Sequence, residues 1–245
     1  MAHGFAVLFL FFFIYSVIGY ICEVGFCTLV NKKLTYSRGF LIGPYLPIYG
    51  TGAVIVSSLL QKFSGDYVTL FVMSMVYCSV LEYLTSYFME KIFHLRWWDY
   101  SKKKFQINGR VCLSNAILFG IGGVFIIEVF NPLISRFIYS LNPFIFKLLF
   151  SFCFFVFMTD FIITLRVMVG VKINLGRMER RDSTEEIREE VHKFLHNYSY
   201  STSRLFGAFP NMEEFNGMIY KRFVSDIKNI REARKKKWWY FFFFV

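Results

Sequence analysis

Five stretches of this 245-residue chain, at residues 5–30, 44–62, 67–93, 111–131 and 144–170, are apolar and, at roughly 20 residues each, long enough to cross the hydrocarbon core of a bilayer as helices. No water reaches that depth, so every backbone N–H and C=O must find a partner inside the protein, and a helix supplies those partners from itself. The expected fold is all-α, a polytopic membrane helix bundle with five transmembrane helices. A composition of 56% hydrophobic residues with 33 Phe is too apolar for an ordinary soluble domain of this size. The first stretch lacks a basic n-region and a small-residue cleavage site and stays apolar to Val30, so it reads as a retained span and not a signal peptide.

Basic residues then orient the bundle. Lys32, Lys33 and Arg38 follow the first stretch, and Arg96, Lys102, Lys103, Lys104 and Arg110 lie between the third and fourth. Fifteen Lys or Arg against ten Asp or Glu follow residue 171, whereas the other two connections hold Lys62 and Arg136. Lys and Arg collect on the cytoplasmic side, which gives an N-out, C-in, multi-pass protein of the inner membrane. Its transmembrane domain covers 1–171 and a cytoplasmic helical tail covers 172–245. The net charge of +11 therefore reads as orientation, and with no matching motif beside it no nucleic acid is expected as a partner. In the tail, Asp182 or Ser183 caps one expected helix, and a second runs from Glu213 to Lys237 after Gly207 and Pro210. The closing RKKKWWYFFFFV suits an interfacial anchor on an anionic leaflet, with a disordered terminus as the alternative. Cys22, Cys27, Cys78, Cys112 and Cys153 lack paired spacing and read as small buried apolar residues.

Two stretches break the apolar pattern, and this topology puts both on the cytoplasmic side. RGFLIGPYLPIYGTGA, residues 38–53, holds four Gly and two Pro in sixteen residues and resists a plain helix. Irregular backbone at membrane depth persists only where protein or a water-filled cavity satisfies it, so the segment is either the wall of a site or a tight interfacial turn. HLRWWDYSKKKFQINGR, residues 94–110, faces it. Trp97 and Trp98 suit the interfacial aromatic belt; Asp99, Ser101, Gln106, Asn108 and Arg110 suit either hydrogen bonding to a polar ligand or capping of the next helix.

Ionisable residues inside spans face the bundle interior and mark sites by default. Glu23 lies in the inner half of the first span, one to two turns after Ser16, Gly19 and Tyr20. Glu82, Ser86 and Glu90 form a stripe at steps of four down the third, extended by His94. Glu23, Glu82 and Glu90 can meet Arg38, Arg96 or Arg110 at the inner mouth, either as a site or as ion pairs that hold helices together. Tyr49 lies in the wall segment beside them. Glu128 and Asp160 look isolated. Glu90, His94 and Asp99 are too few to specify a metal, and neither metal nor cofactor is expected. The outer connections, residues 64–66 and 132–143, are short and weakly charged, and no exterior site is expected. No GxSxG, Walker lysine loop or HExxH is present, so any ATP-driven role needs a separate cytosolic partner subunit.

EVGF at 23–26, RGFLIGPYLPIYGTGA at 38–53, LEYLTSYFMEKIFHLRWWDYS at 81–101 and NGRVCL at 108–113 together resemble the putative ABC-transporter type IV, or CmpB-like, bacterial membrane family. The likeness is strong over residues 10–125 and looser beyond, although AFPNM at 208–212 is similar to a Pro-containing tail feature of members. It implies a permease-type membrane protein. Its matching positions coincide with the inner-face set Glu23, Arg38, Tyr49, Glu82, Glu90, Asp99, Asn108 and Arg110. The leading expectation is thus a transporter component with a substrate-binding site at those residues, surrounded by membrane lipid and open to homo-oligomer formation. The alternatives are a membrane enzyme acting on lipid at the cytosolic leaflet, or a non-catalytic scaffold.

Overall fold

The computed structural model describes residues 2–31, 39, 41–93 and 98–178; Arg38, His94, Arg96, Trp97 and the expected tail helices lie outside them. In chain order the elements are α1 (Ala2–Asn31), α2 (Pro47–Leu60), a 3₁₀ turn (Gln61–Phe63), α3 (Tyr67–Phe93), β1 (Gln106–Ile107) and β2 (Val111–Cys112). There follow α4 (Leu113–Phe125), a π-turn (Ile126–Phe130), α5 (Asn131–Ser140) and α6 (Pro143–Met178). Among the described residues four stretches, Gly4–Leu29, Tyr67–Ile92, Leu113–Ser140 and Pro143–Arg166, are long and apolar enough to cross a membrane. Their outward faces carry large apolar side chains such as Val68, Phe144 and Phe155, an arrangement that hydrocarbon accepts and water does not.

The second expected span is shorter than its apolar run. Pro47 takes a first-turn position in α2, where its missing N–H costs no helical bond, and Pro44 disfavours helical backbone just before it. The 14 residues that remain reach about 21 Å at 1.5 Å per residue, and the 3₁₀ turn lengthens that slightly. The fourth span is longer than expected. Pro132 falls in the first turn of α5, directly after the π-turn, so the helix axis carries on from Leu113 to Ser140 where a break at Pro132 was expected.

Small residues set the helix contacts. At the α1–α2 crossing Gly19 lies under the Tyr49 side chain, and Gly50 lies against the Phe12 carbonyl and Ser16 so closely that a Cβ would overlap both. Gly120 and Gly123 give α3 the same close approach through Phe71 and Ser74. A Gly50→Leu variant is accordingly expected to lose about 1–3 kcal/mol through overpacking, seen as a lower melting temperature in detergent; an unchanged melting temperature would mean that α1 and α2 do not meet there. Between α1 and α6 the contact is aromatic, with Phe9 edge-on to Phe150, Phe154 and Phe157 at centroid distances of 5.7, 5.2 and 5.9 Å.

Glu128 is not isolated. It accepts hydrogen bonds from Ser64 Oγ at 3.2 Å and Gly65 N at 2.7 Å, pinning the α2–α3 turn to the π-turn. Gly65 makes that turn with a φ of 90°, where other side chains are strained. Asp66 then caps α3, and hydrogen bonds from Thr69 hold its carboxyl below the usual carboxylate range.

Candidate functional site

Asp160 also has partners, and they are the Gly-Pro segment itself. Its Oδ1 accepts from Ile42 N at 2.9 Å and Thr164 Oγ1 at 3.1 Å; its Oδ2 accepts from Gly43 N at 2.6 Å and the Tyr45 hydroxyl at 2.6 Å. Four donors on two oxygens satisfy a carboxylate that is only 9% exposed. The Tyr45 ring folds back over Gly43, where a Cβ would overlap it, and packs against Phe13 and Phe157. Leu46 N completes the strap with a 2.9 Å bond to the Ser16 carbonyl. The irregular backbone of residues 41–46 is thus satisfied by α1 and α6, and it delivers Pro47 and Tyr49 to the base of α2.

The second connection is a hairpin. Asn108 and Gly109 adopt φ values of 53° and 67°, the left-handed pair that an Asn-Gly turn supplies, and β1 and β2 pair antiparallel on either side. Arg110 anchors this hairpin to α3. Its guanidinium meets Glu90 Oε2 at 2.8 Å and the Tyr83 hydroxyl at 3.4 Å, and it lies over the Tyr83 and Tyr87 rings at 5.3 and 5.5 Å. Asn108 Nδ2 donates to the same Tyr83 hydroxyl at 3.0 Å. Trp98 Nε1 donates to the Arg110 carbonyl at 2.8 Å, and Tyr100 N to the Gly109 carbonyl at 2.8 Å.

So anchored, the hairpin swings Tyr100 onto α3. The Tyr100 hydroxyl donates to Glu82 Oε1 at 3.1 Å and accepts from Asn115 Nδ2 at 2.6 Å. Burial, followed by the Glu82 charge, pushes the Tyr100 hydroxyl above its ordinary value, which keeps it a proton donor. Across the gap the Tyr49 hydroxyl donates to Glu23 Oε2 at 2.8 Å, and Glu23, Tyr49, Glu82 and Tyr100 lie within electrostatic reach of one another. Glu82 is 5% exposed, and its Oε2 has no partner among the described residues; the Ser86 Oγ one turn further along, 1% exposed, has none either. Native proteins leave few buried polar atoms unpaired.

The candidate residues therefore fall into three groups. Glu23, Tyr49 and Glu82 come together, joined by Tyr100 from the connection before the hairpin and Asn115 from α4. Glu90, Asn108 and Arg110 form a separate knot on α3. Asp99 accepts from Ser101 N and Oγ at 2.9 and 2.8 Å, and Arg38 lies outside the described residues. Among the described residues no group of three or more His, Cys, Asp and Glu could hold a metal ion. The cysteines are mixed: Cys27, Cys112 and Cys153 are buried, whereas Cys22 is exposed.

No curated protein and no solved structure is detectably similar to the chain. A family model does match, over residues 10–165, further than the likeness read from the motifs and far enough to include Asp160. With the strap, the hairpin and four membrane-length helices all inside or largely inside that match, the chain is a membrane protein that belongs to the family described as putative ABC-transporter type IV.

Proposed function

We propose that this protein is the membrane component of a transport system and that Glu23, Tyr49, Glu82, Tyr100 and Asn115 form its cytoplasm-end site, selective for a cationic or hydrogen-donating solute. The observation that carries this reading is the buried, unpartnered Glu82 Oε2 beside Ser86 Oγ, with a second carboxylate, Glu23, within electrostatic reach. Arg110 is held by Glu90, and Lys103 Nζ lies 5.4 Å from the Tyr100 ring centre within electrostatic reach of Glu82, so among the described residues the site sets two carboxylates against one ammonium. That balance favours a positive charge over an anion. The family adds transport as the class of activity. A sequence without a Walker loop fits a separate ATPase subunit, docked at the hairpin or at the 172–245 tail.

In proteoliposomes, with and without a candidate ATPase, organic cations are expected to bind or move in preference to anions of equal size. Glu82→Gln should weaken that at least tenfold with the melting temperature preserved. Equal handling of anions, or no flux of any solute, would defeat the proposal.

The reading includes a five-pass, N-out and C-in topology in the inner membrane. It is supported by the antiparallel crossing of α1 and α2, in which Tyr49 meets Gly19, Gly50 meets Ser16 and Val54 to Gln61 line one pocket with Val7 to Phe11, and by Glu128 holding the 64–66 turn at the end away from the hairpin. Single cysteines test it directly: one at Ser64 should react with an impermeant maleimide from outside, and one at Lys103 only after permeabilisation. Reaction of both from one side would mean that α2 does not cross.

A further inference from the structure

At the opposite end of the bundle from Glu82, α1, α2, α5 and the turn after α2 line an open pocket of about 290 Å³. Val7, Leu8 and Phe11 of α1 and Val54 of α2 make its apolar side. Ser57, Ser58, Gln61, Asn131 and Ser135 make the other. This volume lies at the small end of the range for ligand sites. The polar side is built around Asn131, which is 5% exposed. Asn131 Oδ1 accepts from Tyr15 at 2.7 Å and Ser57 at 3.1 Å, and its Nδ2 donates to Gln61 Oε1 at 3.0 Å.

Those bonds fix the pocket without exhausting it. An amide nitrogen carries two hydrogens, so one on Asn131 and both on Gln61 remain, and the Ser58 and Ser135 hydroxyls make no hydrogen bond among the described residues. The surroundings are greasy on one side and polar on the other: Leu8, Leu59 and Leu133 are exposed around the pocket, while Gln61 opens the turn that ends α2 with Lys62 exposed beside it. Hydroxyl and amide groups at such a boundary between apolar helix and polar turn stand level with the ester and glycerol region of a lipid leaflet. None of the lining residues is charged.

We propose that this pocket binds a glycerolipid, with the uncharged ester and glycerol oxygens on Gln61, Ser58 and Ser135 and the start of one acyl chain along Val7, Leu8 and Phe11. An ester offers acceptors to the amide hydrogens, a glycerol hydroxyl offers a donor to the serines, and the adjoining methylenes match the apolar wall. Because no lining side chain carries charge, the site recognises the backbone of the lipid and not its head group. This makes the site distinct from ordinary lipid contact, which spreads around the whole belt. It is also independent of the solute site around Glu82, so either can fail alone.

The test uses the full chain in nanodiscs of phosphatidylethanolamine and phosphatidylglycerol containing a trace of a phosphatidylcholine with a diazirine near the start of one acyl chain. After irradiation and digestion, label is expected to concentrate on peptides holding residues 7–11, 54–61 and 131–135. Changing the probe's head group to phosphoglycerol should alter labelling less than twofold. Val54→Phe, which fills the pocket, should reduce it at least fivefold. Ser58→Ala with Ser135→Ala leaves the Asn131 bonds intact and should reduce it severalfold at an unchanged melting temperature, which keeps the test sound if Val54→Phe folds poorly. Label spread evenly over the lipid-facing surface, or label unchanged in the double-serine variant, overturns the proposal.

Discussion

Asp160→Asn is expected to destabilise the protein nearly as much as Asp160→Ala, by about 3–5 kcal/mol. The reasoning rests on counting donors. Each carboxylate oxygen accepts two hydrogen bonds, from Ile42 N and Thr164 on one side and from Gly43 N and Tyr45 on the other. In Asn one of those oxygens becomes an NH₂ group, which points hydrogens at two donors whichever way the amide is turned. Neutral hydrogen bonds between membrane helices average only about 0.6 kcal/mol, because groups freed in the membrane find other partners. Here the acceptor is charged and two of the donors are consecutive backbone amides of a segment without helical bonds, so they have no substitute partner at that depth. The measurement is thermal or denaturant unfolding in detergent. A second readout is local: Leu41, 0% exposed beside the strap, should react slowly with maleimide as Leu41→Cys in the native background and quickly once Asp160 is replaced. An Asp160→Asn protein as stable as the parent would show that the strap is held by its aromatic packing alone.

This contact also marks where sequence reading stops. The membrane-length helices were legible because an apolar run of about 20 residues has one economical solution in hydrocarbon. The unusual character of residues 38–53 was legible from its Gly and Pro. Its partner was not, since Asp160 lies more than a hundred residues away and binds backbone amides, which every residue type presents alike. Residue types announce carboxylate–arginine pairs and not carboxylate–amide ones, so Asp160 looks isolated in the sequence. The pairing of Glu90 with Arg110 was among the combinations that residue type did suggest. The hairpin had a readable signal in Asn108-Gly109 between Gln106-Ile107 and Val111-Cys112, masked because those groups also suit capping and ligand binding. Helix ends drifted for the same reason throughout: Pro47 and Pro132 both mark first turns, yet Pro47 starts its span late whereas Pro132 follows a π-turn that carries the helix on.

Replacing Arg110 is the second change expected to act strongly, and for a different cause. The Glu90 side chain is 37% exposed and Arg110 14%, so the ion pair alone is partly screened and contributes about 1 kcal/mol. Arg110 also covers two tyrosine rings and bonds the Tyr83 hydroxyl, while its own backbone carries the bonds that place Trp98 and, through Gly109, Tyr100. Glu90→Gln removes only the first of these contributions and should lower stability by about 1 kcal/mol. Arg110→Gln removes the stacking and the bond to the Tyr83 hydroxyl as well as the ion pair, and should lower it by about 2–4 kcal/mol. Arg110→Lys is not expected to restore it, because a point ammonium cannot lie flat on Tyr83 and Tyr87 and reach Glu90 with the same group. The double variant completes a cycle whose coupling energy isolates the ion pair at about 1 kcal/mol. If the Glu90 and Arg110 single variants lose equal stability, the rings add nothing and the hairpin is held by charge alone. If they differ as stated, the solute binding proposed at Glu82 should follow Arg110 more than Glu90, since Arg110 also stacks on Tyr83 and Tyr87 and so helps fix the hairpin that carries Tyr100.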